Sequence, residues 1–192
     1  MHDTRKDSTS TRSTKASDLK ASISKSPYHI DTGIDDKDRV AVADLLQKVL
    51  ANVNVLYIKT RNYHWNVTGP RFRTLHLLLE DQYTQLATAA DEVAERVRSI
   101  GAFPIGTMTE FLKSTDLAEE PGARPPADLM LASLLKDHET IIKGLRNDVD
   151  SCDDDYHDTG TADFLTGLME AHEKHAWMLR AHLEDHEIKN DA

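Results

Sequence analysis

Five side chains in this sequence have the chemistry to share a metal ion: His64, His76, Glu80, Asp91 and Glu95. A mixed imidazole and carboxylate set suits iron, with zinc and manganese as competitors. His76/Glu80 and Asp91/Glu95 are two i, i+4 pairs, and at about 100° per residue all four fall on one stripe of a helix. Leu79, Tyr83, Leu86, Ala90 and Val97 of the same segment project elsewhere, so the ligand stripe runs beside the core. Along the axis, Glu80 and Asp91 are about 16 Å apart, far beyond the roughly 2.0–2.2 Å at which oxygen binds one transition metal. One chain cannot close the site. In two copies packed antiparallel about a twofold axis, the numbers of facing residues share a constant sum. His76 with Glu95 and Glu80 with Asp91 satisfy the same sum, which puts the axis near Gln85 and Leu86. Thr84, Ala87 and Thr88 are small enough there for close helix approach. The spacing predicts two symmetry-related metal sites at a dimer interface. The competing reading of each pair alone is a solvated acidic face balanced by Arg96 or Arg98.

The elements that would position these residues are helices. From Asp35 onward Val42, Leu45, Leu46, Val49, Leu50, Val53, Leu56 and Tyr57 recur at i, i+3, i+4 up to Trp65, and Thr68-Gly69-Pro70 breaks the run. A second stripe, from Leu79 to Ile100, ends at Gly101, a C-terminal cap. Residues 101–126 form a long crossover with a short helix at Thr109–Ser114. A third helix spans about Ala127–Asp150, an acidic loop holds Asp153, Asp154 and Asp155, and a fourth helix spans about Thr161–Glu187. No segment shows β-alternation. Four long amphipathic helices with one extended connection describe an all-α, ferritin-like four-helix bundle. No Glu is followed three residues later by His, so the Glu-x-x-His site carried inside such bundles is absent.

Composition divides the 192 residues further. Net charge is −10, but residues 1–26 carry six basic and three acidic side chains, a local +3 that leaves −13 on the remainder. The leading segment is rich in Ser and Thr and poor in large apolar residues. It reads as a disordered arm over 1–35, ahead of the bundle at 36–187 and a short tail at 188–192. A basic arm suits non-specific DNA binding by counterion release, while the acidic body excludes a nucleic-acid-wrapped core. No run approaches the roughly 18 apolar residues of a membrane span, and no signal-peptide core is present. These features predict a soluble, cytoplasmic protein. The single cysteine, Cys152, has no internal disulfide partner.

The run N-Y-H-W-N-V-T-G-P-R-F-R-T-L-H-L-L-L-E-D-Q-Y from Asn62 to Tyr83, with D-E-V-A-E-R from Asp91 to Arg96, resembles the Dps family of bacterial mini-ferritins over roughly residues 36–187. The resemblance implies a hollow dodecamer built from twofold dimers. Its intersubunit ferroxidase centres would oxidise Fe(II) to Fe(III), preferably with hydrogen peroxide, and the ferric mineral would be stored inside. On this mapping His64, His76 and Glu80 come from one subunit and Asp91 and Glu95 from its partner, with Glu80 where many members have Asp. Trp65 falls next to the site, either as a trap for oxidising equivalents or as packing. Asp154, Asp158 and Asp163 match the acidic threefold pore that admits Fe(II); the alternative is an ordinary acidic helix start. His172, His175, His182 and His186 share one face of the fourth helix, and His175, within H-E-K-H-A-W-M-L, is the candidate for an additional metal ligand. Two other functions are consistent with the sequence: a DNA-compacting nucleoid protein acting through its arm, and an oligomer holding structural zinc without ferroxidase activity.

Overall fold

The structure is a computed structural model that describes residues 30–184. Of the expected arm over 1–35 only residues 30–35 are described, and they form no helix or strand; the rest of it, the tail over 188–192 and His186 lie outside the described residues. Four long helices carry the fold: α1 (Asp36–Asn66), α2 (Phe72–Ser99), α4 (Ala127–Asp150) and α5 (Thr159–Glu184), with the short α3 (Met108–Ser114) in the crossover. No strand occurs among the described residues. α1 packs mainly on α2 and α4 on α5, and α1 also meets α3 and α4.

The apolar stripes converge on one core whose largest fully buried members include Leu46, Leu56, Leu75, Leu79, Leu131, Leu134, Leu165 and Leu179. Each such side chain contributes about 1.5–3 kcal/mol on leaving water. α1 is by length and composition apolar enough to cross a membrane, unlike the expectation from unbroken apolar runs. Its most apolar stretch is 61% buried within the bundle, which is the behaviour of a core helix.

The ends follow local rules. Gly101 adopts φ +98°, and its N–H and that of Ala102 donate to the carbonyls of Arg98 and Val97 at 3.0 and 3.1 Å, a Schellman end for α2 that only glycine enters without strain. α3 starts with a capping box: Glu110 N–H donates to Thr107 Oγ1 and Thr107 N–H donates to Glu110 Oε2. The crossover is tied to α1 by two buried amides. Gln47 Nε2 donates to the Phe103 carbonyl at 2.7 Å and Gln47 Oε1 accepts from Ile105 N–H at 2.8 Å. Asn52 Oδ1 accepts from Thr115 Oγ1 and Asp116 N–H, both at 2.8 Å. These pairs satisfy backbone groups that a long loop would otherwise bury unpaired.

The expected acidic loop after α4 is instead a widened helical turn. Ser151–Asp155 form a π-helical segment, closed by Tyr156 N–H donating to the Ser151 carbonyl at 3.1 Å. Cys152 is fully buried there, which holds the backbone against the bundle although three successive Asp residues are poor helix formers. Burial, with Asp158 and Asp148 nearby, pushes its thiol up to about 12, so it is chemically quiet.

Candidate metal centre

The sharp turn at Thr68-Gly69-Pro70, with Gly69 at φ +103°, brings the last turn of α1 against the first turns of α2. His64 and His76 meet there with their imidazoles stacked, ring centres 3.7 Å apart and planes 20° apart. Nδ1 of His64 donates to the His76 carbonyl at 2.8 Å, and Nδ1 of His76 donates to the His64 carbonyl at 2.9 Å. A carbonyl only accepts, so each Nδ1 carries a proton, and it is Nε2 that offers the lone pair in the neutral imidazole. This reciprocal clamp is the outer support that orients metal-binding imidazoles. One nitrogen from each histidine and a carboxylate oxygen of Glu80 all lie within 4.8 Å of one another. His64 is buried, His76 half-buried and Glu80 exposed, so the cluster opens to the surface.

Asp91 and Glu95 are not part of that cluster. Both stand exposed further along α2, as the axial distance requires. The solvated-face alternative needed arginine partners, and these are engaged elsewhere. Arg96 bonds Asp158 and Thr161 at 2.9 Å each, and Arg98 donates to the Ala102 carbonyl and lies over the Phe103 ring. No ion pair joins Glu80, Asp91 or Glu95 to a basic side chain among the described residues.

An aromatic wall surrounds the histidines. Tyr83 meets His64 edge-on at 5.1 Å and Phe72 lies 5.1 Å from His76. Trp65 is 63% exposed. The Arg61 guanidinium lies 5.2 to 5.8 Å from the Trp65, Tyr83 and Tyr57 ring centres, within cation–π range. Sequence reasoning passed over Arg61 and Phe72 and placed Tyr83 on the core stripe away from the ligands, although Tyr57, Arg61 and Trp65 follow i, i+4, i+8 spacing.

The three acids of the expected pore have different surroundings. Asp154 and Asp163 are exposed. Asp158 is 3% exposed; Oδ1 accepts from Thr161 N–H and Arg96, and Oδ2 accepts from Thr161 Oγ1. It caps α5 and ties that helix to α2. On α5, His172 and His175 are buried, joined by His138 of α4, which the sequence did not mark. His182 stands in the last turn, its carbonyl accepting from Arg71 at 2.9 Å.

Fold and cluster define a class, a ferritin-like bundle with an imidazole–carboxylate patch open at one end. The ferritin-like domain family matches residues 43–188. An uncharacterized low temperature-induced protein of Nostoc is 48% identical over 83% of this chain and 89% of its own. The DNA protection during starvation protein 2 of Bacillus anthracis is 39% identical over 74% and 96%. The crystal structure of a Dps protein from Vibrio cholerae, described as a member of a broad superfamily of ferritin-like diiron-carboxylate proteins, superposes with a TM-score of 0.76 at 29% identity, over 83% of this chain and 99% of that one. The chain belongs to the Dps family of ferritin-like proteins.

Proposed function

We propose that this protein is an iron-storing ferroxidase that protects DNA from oxidative damage, working as a homo-oligomer in the cytoplasm. Fe(II) is the substrate, held by His64, His76 and Glu80 of one subunit and Asp91 and Glu95 of its partner. Two ferrous ions each give one electron to hydrogen peroxide, whose O–O bond breaks to yield water with two added protons. Because both electrons are taken at one centre, hydroxyl radical is not released. The ferric product collects in the cavity of a dodecamer, and Asp154 and Asp163 draw Fe(II) toward it. The observation that carries this reading is the reciprocal Nδ1 clamp, which leaves two imidazole lone pairs beside the Glu80 carboxylate. The similarity to the Vibrio cholerae protein described as a member of the ferritin-like diiron-carboxylate superfamily supports it.

The test is anaerobic Fe(II) loading followed by peroxide or oxygen, watched at ferric absorbance. Wild type is expected to oxidise iron faster with peroxide, and His76→Ala/Glu80→Ala is expected to lose at least about tenfold in rate, as weakened metal binding requires. Equal rates in the two proteins would remove the ferroxidase assignment and leave a zinc-holding or DNA-compacting oligomer.

A further inference from the structure

Among the described residues no carboxylate pairs with Arg61 of α1, and its side chain has one hydrogen-bond partner, the Tyr57 hydroxyl, which accepts from Nη1 at 2.7 Å. The half-buried guanidinium lies over three rings instead. Its central carbon is 5.2 Å from the ring centre of Trp65, 5.7 Å from Tyr83 and 5.8 Å from Tyr57. These rings lead away from the metal cluster. Tyr83 meets His64 edge-on at 5.1 Å, Tyr57 lies 6.3 Å from Tyr83, and Trp65, next to His64 in the chain, is 63% exposed. Packing the three rings calls for no charge, since a methionine would fill the same space and contact the aromatic edges favourably.

Phenols and indoles are the side chains, apart from thiols, that give up one electron most readily. A ring that loses an electron is positive until a proton leaves it. A fixed unit charge at these separations opposes that step, and in a half-buried setting it shifts the one-electron equilibrium by about tenfold or more. The proton has no ready acceptor either. The Tyr57 oxygen faces a donor, and neither phenol donates to a protein group among the described residues.

We propose that Arg61 insulates the cluster: its cation holds Tyr57, Trp65 and Tyr83 against loss of an electron, so that oxidising equivalents are spent on bound iron and not on the protein. The side reaction it opposes is defined. Reduction of hydrogen peroxide to two waters takes two electrons and two protons. If Fe(II) supplies one electron and a phenol supplies the other with its proton, solvent gives the second proton and the products are Fe(III), two waters and a phenoxyl radical. With the rings protected, both electrons come from iron. This consequence rests on the ferroxidase reading, whereas the effect on the rings does not. Of the two uses expected for Trp65, the charge above it favours packing over a trap for oxidising equivalents. Arg61 acts through the rings beside His64 and is a positioning residue.

The chain carries its own control. Its two tryptophans, Trp65 and Trp177, are each 63% exposed, and no cation lies over Trp177 among the described residues. Iron-free, full-length protein is treated with nitrogen dioxide, a neutral one-electron oxidant weak enough for its rate to follow the potential of the ring, and the nitrated tryptophans are counted by peptide mass spectrometry. Arg61→Gln is expected to raise the ratio of Trp65 to Trp177 product at least about threefold over wild type, because the rate follows the equilibrium only in part. Arg61→Lys, which keeps the charge, is expected to stay near the wild-type ratio. Circular dichroism and light scattering check that all three proteins share one fold and particle size. An unchanged ratio in Arg61→Gln overturns the proposal, as does an equal rise in Arg61→Lys, since shape and not charge would then protect the ring. With Fe(II) and limiting peroxide, Arg61→Gln is expected to gain oxidised Tyr83 and Trp65 and to yield less ferric iron per peroxide than wild type. Equal ring products and equal ferric yields in two proteins that both oxidise iron overturn the insulating role. A wild type that oxidises no iron removes the ferroxidase reading alone, and the tryptophan ratio then decides Arg61.

Discussion

A carboxylate at a helix start has two uses, and the acids around the α4–α5 turn separate them. Asp158 uses both oxygens internally, on Arg96, Thr161 N–H and Thr161 Oγ1, whereas Asp154 and Asp163 face water. Asp158→Ala strands a partly buried guanidinium and removes a cap, for a loss of about 2–3 kcal/mol that is read as a lower thermal midpoint. Asp154→Asn/Asp163→Asn is expected to change stability by no more than about 0.5 kcal/mol and to slow Fe(II) uptake instead. If the double variant takes up iron at the wild-type rate, these acids are ordinary solvated residues. The sequence offered all three equally, because composition and order do not reveal which acid folds inward. His64, His76 and Glu80 were legible for the opposite reason. Their contact is set by one short turn and by helical period, both readable from local sequence. His138 was not, since it stands alone on α4 and meets His172 only through the packing of two helices 34 residues apart in the chain.

At the scale of elements, the long helices and the α2 end follow from periodicity and Gly101, while the π turn and the crossover's attachment do not. Gln47 and Asn52 look like polar interruptions of an apolar stripe until the loop they satisfy is in place. Where α1, α4 and this crossover meet, Asp148 is half-buried beside Lys48 and Asp116, and Lys48 pairs with Asp116 at 2.9 Å. Burial, offset in part by Lys48 and reinforced by Asp116, raises the Asp148 carboxyl to about 6. The folded state therefore holds its proton more tightly than the unfolded chain. The stability from this group is full below about pH 4 and is lost as pH rises through 6. Asp148→Asn, neutral throughout, is expected to gain about 1 kcal/mol at pH 7.5 once solvent screening is allowed for, a rise of roughly 2–4 °C in midpoint. The gain should shrink as pH falls to 4.5. A gain of equal size at both pH values would mean that ionisation of Asp148 is not its source.

At the scale of the whole molecule, the net charge of −10 takes on a location: on the proposed function, part of it is ligand carboxylate that a single chain cannot bring together. Trp65, Phe72 and Leu77 are exposed around the end of the bundle that carries the His64, His76 and Glu80 cluster, and an apolar rim beside such a cluster is a surface suited to burial by a second copy. Shared ligation has a consequence that no single-subunit site can imitate. His76→Ala/Glu80→Ala removes one half of every centre and Asp91→Asn/Glu95→Gln removes the other, so each protein alone is expected to be inactive. Dissociating the two variants, mixing them in equal amounts and reassembling them makes half of the dimers mixed. In each mixed dimer one of the two centres regains all five ligands while the other loses both halves. Fe(II) oxidation should return to about a quarter of the wild-type rate, with the particle size unchanged by light scattering. Were all five ligands supplied by one chain, mixing two inactive chains would restore nothing, and a mixture that reassembles yet stays inactive would refute the interface site.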